Sequence, residues 1–171
     1  YMLGRKTAEQ YHKALKEYLP DAFRDSYLAE TAPLMGVRES RRIKGKYTLT
    51  LEDYVSRRSF SDEIARNSYW LDCHPSGNEE KTIQVNPDDN YKKGDSHGIP
   101  FRCLIPENIS NLLVAGRCIS VERIVLSSTR VMPNCLATGE AAGIAATLAI
   151  KENTDVCNIS GEQVMEIIKS N

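Results

Sequence analysis

The strongest pattern in the chain lies near its end, from Asn111 to Ile150: NLLVAGRCISVERIVLSSTRVMPNCLATGEAAGIAATLAI. A short apolar run, Leu112 to Ala115, stops at Gly116, as a buried strand does when it enters a tight turn. After a polar linker comes a run of small residues, Leu136 to Ile150, that reads as a helix. Gly139 and Gly143 lie four apart and share one helix face. Each glycine costs a helix about 1 kcal/mol relative to alanine. Two of them beside six alanines imply a neighbour packed against the backbone: a sheet, another helix or a flat ligand. An ordinary tightly packed helix produces the same pattern.

With 171 residues the chain can bury a core and make one domain or parts of two. A net charge of -1 gives no reason to expect a nucleic-acid partner. No apolar run reaches membrane-spanning length, and the richest one carries Glu140. The opening residues, YMLGRKTAEQYHK, lack the continuous apolar centre of a signal peptide. A cytoplasmic location follows as the expectation. The cysteines at 73, 103, 118, 135 and 157 form no CxxC pair, so free thiols are expected and no metal site. Asn108-Ile109-Ser110 and Asn158-Ile159-Ser160 match the glycosylation pattern by chance on this reading. With Tyr1 ahead of Met2 and a helical pattern already under way by Thr7, the chain reads as a fragment of a longer polypeptide.

Thr7 and Gln10 predict a capping box for a helix ending near Leu19, with Ala8, Tyr11, Ala14, Leu15 and Tyr18 as its apolar face. A second helix is expected from Asp21 to Thr31, and His12 is expected to face solvent. Extended pieces around Met35 to Arg38 and Ile43 to Leu49 flank a basic cluster of Arg38, Arg41, Arg42, Lys44 and Lys46. That cluster is either a solvated edge or a set of guanidinium forks aimed at a carboxylate or phosphate. Thr50 and Asp53 predict a capping box for a helix from Leu51 to Arg57. A helical or turn segment is expected from Ser61 through Ala65, and a strand from Tyr69 to Pro75. In that strand Asp72 and His74 share a face, either as a surface pair or as an Asp-oriented proton carrier. Residues 76–98 read as a long polar loop marking a boundary, with a short strand at Thr82 to Val85. Ile99 to Pro106 reads as extended.

The pieces MGVRESRRIKGKYTLTLEDY, IPFRCLIPENISNLLVAGRCIS and STRVMPNCLATGEAAGIAA resemble the C-terminal part of a bacterial FAD-dependent oxidoreductase with a flavin fold of the glutathione reductase type. LVAGR followed by a Gly/Ala-rich helix is widespread among flavoproteins; IPFRCLIP and RVMPNC narrow the resemblance. It implies an α/β fold, with residues 99–171 as the C-terminal portion of an FAD-binding Rossmann-like domain and residues 1–98 as part of an α+β substrate or cap region. No GxGxxG turn occurs in the sequence, so the N-terminal dinucleotide-binding part is expected elsewhere in the same polypeptide. By the same analogy Leu112 to Ala115 is the last parallel strand, and Gly116 and Arg117 lie near the pyrophosphate and ribityl chain. Ala137, Thr138 and Gly139 form the helix turn that meets the flavin pyrimidine edge. Arg38, Arg41 and His74 are then the candidates for the substrate side, with an acidic or oxygen-rich small molecule as the substrate. The alternative is a non-catalytic fragment or interaction module that binds no cofactor in isolation.

Overall fold

The computed structural model describes residues 2–34, 36–73 and 91–170. They form two compact units, Tyr1–Val37 and Arg38–Asn171. The first unit is a helical hairpin of α1 (Met2–Tyr18) and α2 (Pro20–Phe23). α1 starts earlier than the capping pattern implied, so Thr7 lies inside it and its hydroxyl bonds back to the Leu3 carbonyl at 3.0 Å. α2 is a single turn rather than a helix to Thr31, because Ser26 ties back to the Phe23 carbonyl at 2.7 Å and closes the chain there. His12 is half-buried, 3.0 Å from that same Ser26 hydroxyl. Tyr11 and Tyr18 of the expected apolar face are exposed.

The second unit begins with an irregular extended stretch that makes two isolated bridges, Gly45 with Pro106 and Leu49 with Val121. α3 (Leu51–Val55) starts on the expected capping box: Thr50 accepts from the Asp53 amide and Asp53 accepts from the Thr50 amide. β1 (Glu63–Asn67) and β2 (His97–Pro100) pair antiparallel. β1 falls where a turn was expected, because only Ser61 and Asp62 turn and Ile64 and Asn67 then point into the core. Residues 69–73 form no ladder, so the strand expected from Tyr69 is absent among the described residues; side chains hold the segment instead, Ser128 donating to the Tyr69 carbonyl and Arg130 to the Asp72 carbonyl. His74 and Thr82 to Val85 lie outside the described residues. The β1–β2 pairing joins residues on either side of the 98/99 boundary read from the sequence.

Past β2 the chain turns through a 3-10 helix, Phe101–Leu104. Leu112 to Ala115 makes no strand among the described residues; a backbone bond from Val114 N–H to the Leu104 carbonyl at 2.9 Å ties it down. No second strand runs beside it among the described residues, so the parallel Rossmann sheet is not part of the described architecture. The expected polar linker is instead a 3-10 turn, Gly116–Cys118, followed by α4 (Arg123–Thr129). Ile124, Val125 and Leu126 make α4 a core helix, with every residue after Arg123 buried. α5 (Met132–Glu152) and α6 (Gly161–Ser170) complete the unit. α6 offers Val164, Met165, Ile167 and Ile168 inward at helical spacing. The core joins Leu49, Tyr54, Ile64, Ile99, Phe101, Leu104, Val125, Ala141, Ala145 and Val164. Among the described residues no helix is long and apolar enough to cross a membrane.

Candidate functional site

α5 is longer at its N-terminus than its small-residue run suggested. Pro133 sits in its first turn, where a missing N–H is harmless and the fixed φ suits helix entry. Val131 is the N-cap and offers no side-chain cap. The amides without an intrahelical acceptor therefore belong to residues 131–134, where Pro133 has none to offer. Ala137, Thr138 and Gly139 lie in the second turn. Their amides are held within the helix and are not free for a ligand, which corrects the expected helix start near Leu136.

Thr138 has a different part in the structure. Its side chain is 1% exposed, its hydroxyl donates to the Asn134 carbonyl at 2.8 Å, and its oxygen accepts from the Gly116 amide at 3.0 Å. Gly116 adopts φ of 74°, a conformation that disfavours a side chain. Thr138 thus clamps the Gly116–Arg117 turn against the second turn of α5. Beneath it runs a buried polar chain. Asn134 donates to Asn67 at 2.9 Å, Asn67 to Ser128 at 2.6 Å, and Ser128 to the Tyr69 carbonyl at 2.6 Å. These bonds lock β1, α4 and α5 into one frame.

Beside that turn, Arg38, Asp72, Arg117, Ser127, Arg130 and Val131 line a cleft of about 180 Å³. Two sequence candidates from distant segments, Arg38 and Arg117, therefore meet in one place. Arg38 lies 3.7 Å from the Asp72 carboxylate and its side chain is 61% exposed. The Arg130 side chain is 12% exposed, its Nη1 4.0 Å from Glu39, and its Nη2 donates to the Asp72 carbonyl at 2.8 Å. Glu39 is engaged more closely by Arg42 at 2.6 Å and also approached by Arg123 at 3.8 Å. Arg41 is exposed and does not line the cleft. Sequence reasoning missed Arg130, although Pro133 three residues on was the signal that places it at the mouth of a helix.

Among the described residues nothing outside the helix's own backbone packs on the two glycines of α5: a Cβ at Gly139 or Gly143 meets no such atom within 4 Å. Their face continues through Met132, Leu136 and Ile150, all exposed, Leu136 at 74%. Within this chain the close neighbour that the glycines imply is not supplied by any described residue. Close backbone contact occurs instead at Gly161, where a Cβ would stand 2.7 Å from that of Phe101.

A second polar cluster lies around α3. Tyr91 stacks on Tyr54 at 4.3 Å between ring centroids, and its hydroxyl bonds Nδ1 of the fully buried His97. Burial, with smaller contributions from Arg66 and Arg57, lowers the His97 imidazole to about 4. Burial also pushes the Cys103 thiol up to about 12, which removes it as a thiolate nucleophile. The five cysteines are free. Among the described residues no three potential ligands stand together as a metal site.

No curated protein and no solved structure matches the chain. A family model does: that of the FAD dependent oxidoreductases matches residues 1–168. With nearly its whole length matched, the chain belongs to the FAD-dependent oxidoreductase family.

Proposed function

We propose that this chain forms the C-terminal, flavin-completing part of an FAD-dependent oxidoreductase that oxidises or reduces a small acidic or oxygen-rich molecule. The observation that carries the reading is the Gly116–Arg117 turn held by Thr138 beside the uncapped start of a 21-residue helix. Such a helix start favours negative charge through its unpaired amides and its dipole. Bound flavin supplies the redox chemistry, and the protein orients and tunes it.

The donor set fits the anionic parts of that cofactor: the backbone amides of Val131, Met132 and Asn134 and the guanidinium of Arg117 present only hydrogen-bond donors. The open face of α5 fits it too, since Gly139 leaves room for a flat ring. Gly116 and Arg117 are then the pyrophosphate and ribityl contacts, and Thr138 holds the turn that presents them. A dinucleotide-binding turn elsewhere in the polypeptide supplies the remaining contacts, since GxGxxG does not occur in this sequence. Residues 99–171 are the cofactor portion on this reading and residues 1–98 belong to the substrate side, with Arg38, Arg41 and His74 as its polar candidates.

Replacing Arg117 by alanine in the complete protein tests the assignment. A contact to the cofactor predicts a rise in the FAD dissociation constant of at least about tenfold, equivalent to about 1.4 kcal/mol. An unchanged constant returns Arg117 to a role outside the cofactor site.

A further inference from the structure

We propose that residues 91–95 form an acid-released strap, held over α3 by the contact of Tyr91 with the buried His97 and let go when His97 takes a proton at Nε2. None of the residues involved belongs to the proposed cofactor site.

Ring contacts and an ion pair hold the strap. The Tyr91 ring stacks on Tyr54 of α3 with centroids 4.3 Å apart, and the Arg57 guanidinium lies 4.6 Å from the centre of the same ring. Asp95 pairs with Arg57 at 3.4 Å and accepts from the Lys92 amide at 3.2 Å, closing a turn in which Gly94 has a φ of 98°. Lys92, Lys93 and Gly94 are exposed, whereas Tyr91 is half-buried. Past the turn Arg66 grips Ser96, donating to its hydroxyl at 3.0 Å and to its carbonyl at 2.9 Å. Tyr91 and Asp95 are thus the anchors, and Ser96 is the fixed point from which the strap swings.

Hydrogen-bond direction at Tyr91 decides which nitrogen of His97 carries the proton. The Tyr91 hydroxyl donates its single proton to the Tyr54 carbonyl at 3.1 Å, since a carbonyl only accepts. The bond between Tyr91 and His97 therefore runs from Nδ1–H to the phenol oxygen. Burial holds the Tyr91 hydroxyl above its usual range, so Tyr91 itself stays neutral. Nε2 is left as the basic nitrogen, buried and with no hydrogen-bond partner among the described residues. A proton added there makes an N–H without an acceptor on a ring that is 0% exposed, which the closed arrangement disfavours. Burial opposes the charge most; Arg66 also opposes it, Asp53 favours it and Arg57 opposes it. Lifting Tyr91 admits water to the imidazolium and leaves the β1–β2 ladder in place. The closed strap keeps His97 neutral and the released strap accepts the charge. Each pH unit of acidification from 6.5 to about 4 therefore favours release about tenfold.

Nuclear magnetic resonance of the complete protein, with its His and Tyr side chains labelled and the pH lowered from about 7.5 to about 3.5, tests the proposal. The ring-to-ring contact of Tyr91 with Tyr54 should be lost in step with protonation of His97, while the β1–β2 ladder amides stay protected from exchange. Tyr91→Ala should raise the His97 titration midpoint by about two pH units, to near the reference of 6.5. Tyr91→Phe keeps the stack and deletes the hydroxyl, and should raise the midpoint by about half a unit or more. His97→Gln should keep the ring contact to the acid end of the range. A ring contact that survives His97 protonation overturns the proposal, as does one lost only together with the ladder amides. Release of the strap in His97→Gln at the native pH, or a His97 midpoint unmoved in both Tyr91 variants, overturns it equally.

Discussion

At Asp53 four donors converge on one buried carboxylate: the Thr50 amide at 3.0 Å, the Thr50 hydroxyl at 2.9 Å, the Tyr47 hydroxyl at 2.8 Å and Arg58 at 3.0 Å. Burial alone would raise its pKa, but the donated hydrogen bonds outweigh burial and hold it below the ordinary value. Asp53→Ala removes the helix cap and strands the Tyr47 hydroxyl, and should cost about 2–4 kcal/mol in chemical denaturation. His97 adds a pH dependence of defined sign. Its folded value of about 4 lies below the reference of 6.5, so between those values the unfolded chain binds the proton and the folded one does not. Stability therefore falls as pH drops from about 6.5 toward 4, by about 3 kcal/mol in all. Denaturation midpoints measured across that window should slope for the native chain, and the slope should largely vanish in His97→Gln.

The same logic at the scale of elements centres on the clamp between α5 and the Gly116 turn. Thr138→Val keeps the shape and deletes the acceptor, leaving the Gly116 amide without its partner at a cost of about 1–3 kcal/mol. Amide hydrogen exchange at Gly116 should accelerate in that variant; unchanged protection there means that the hydroxyl does not hold the turn. This clamp was not legible in the sequence, because it pairs residues 22 positions apart through one hydroxyl with no periodic signature. The capping box at Thr50 was legible, since its chemistry is complete within four residues. Strand positions were not. Tyr69 to Cys73 has the apolar and aromatic content of a strand, but pairing decides strands, and β2 pairs with Glu63–Asn67 instead. The buried helix α4 was hidden by its three consecutive hydroxyl residues, Ser127, Ser128 and Thr129, each of which finds an acceptor inside the core.

For the molecule as a whole, the unresolved match is between a helix built for close approach and the open space over its glycine face. Residues distant in sequence, Arg38, Arg117 and Arg130, come together at one end of α5, while Met132, Leu136, Gly139, Gly143 and Ile150 remain uncovered along it. A flavin lying on that face accounts for both features at once. Gly139→Val in the complete protein is the sharpest test, because a Cβ added there meets no described atom within 4 Å apart from the helix's own neighbouring backbone. Valine is also the better helix former by a few tenths of a kcal/mol, so the apoprotein should melt no lower than the native one. The measurement is the FAD dissociation constant of that variant together with the midpoint potential of the flavin it retains. A weakened constant and a shifted potential on an intact apoprotein are the predicted result. An unchanged constant and potential, or an apoprotein destabilised by the substitution, would contradict the placement of the flavin on α5.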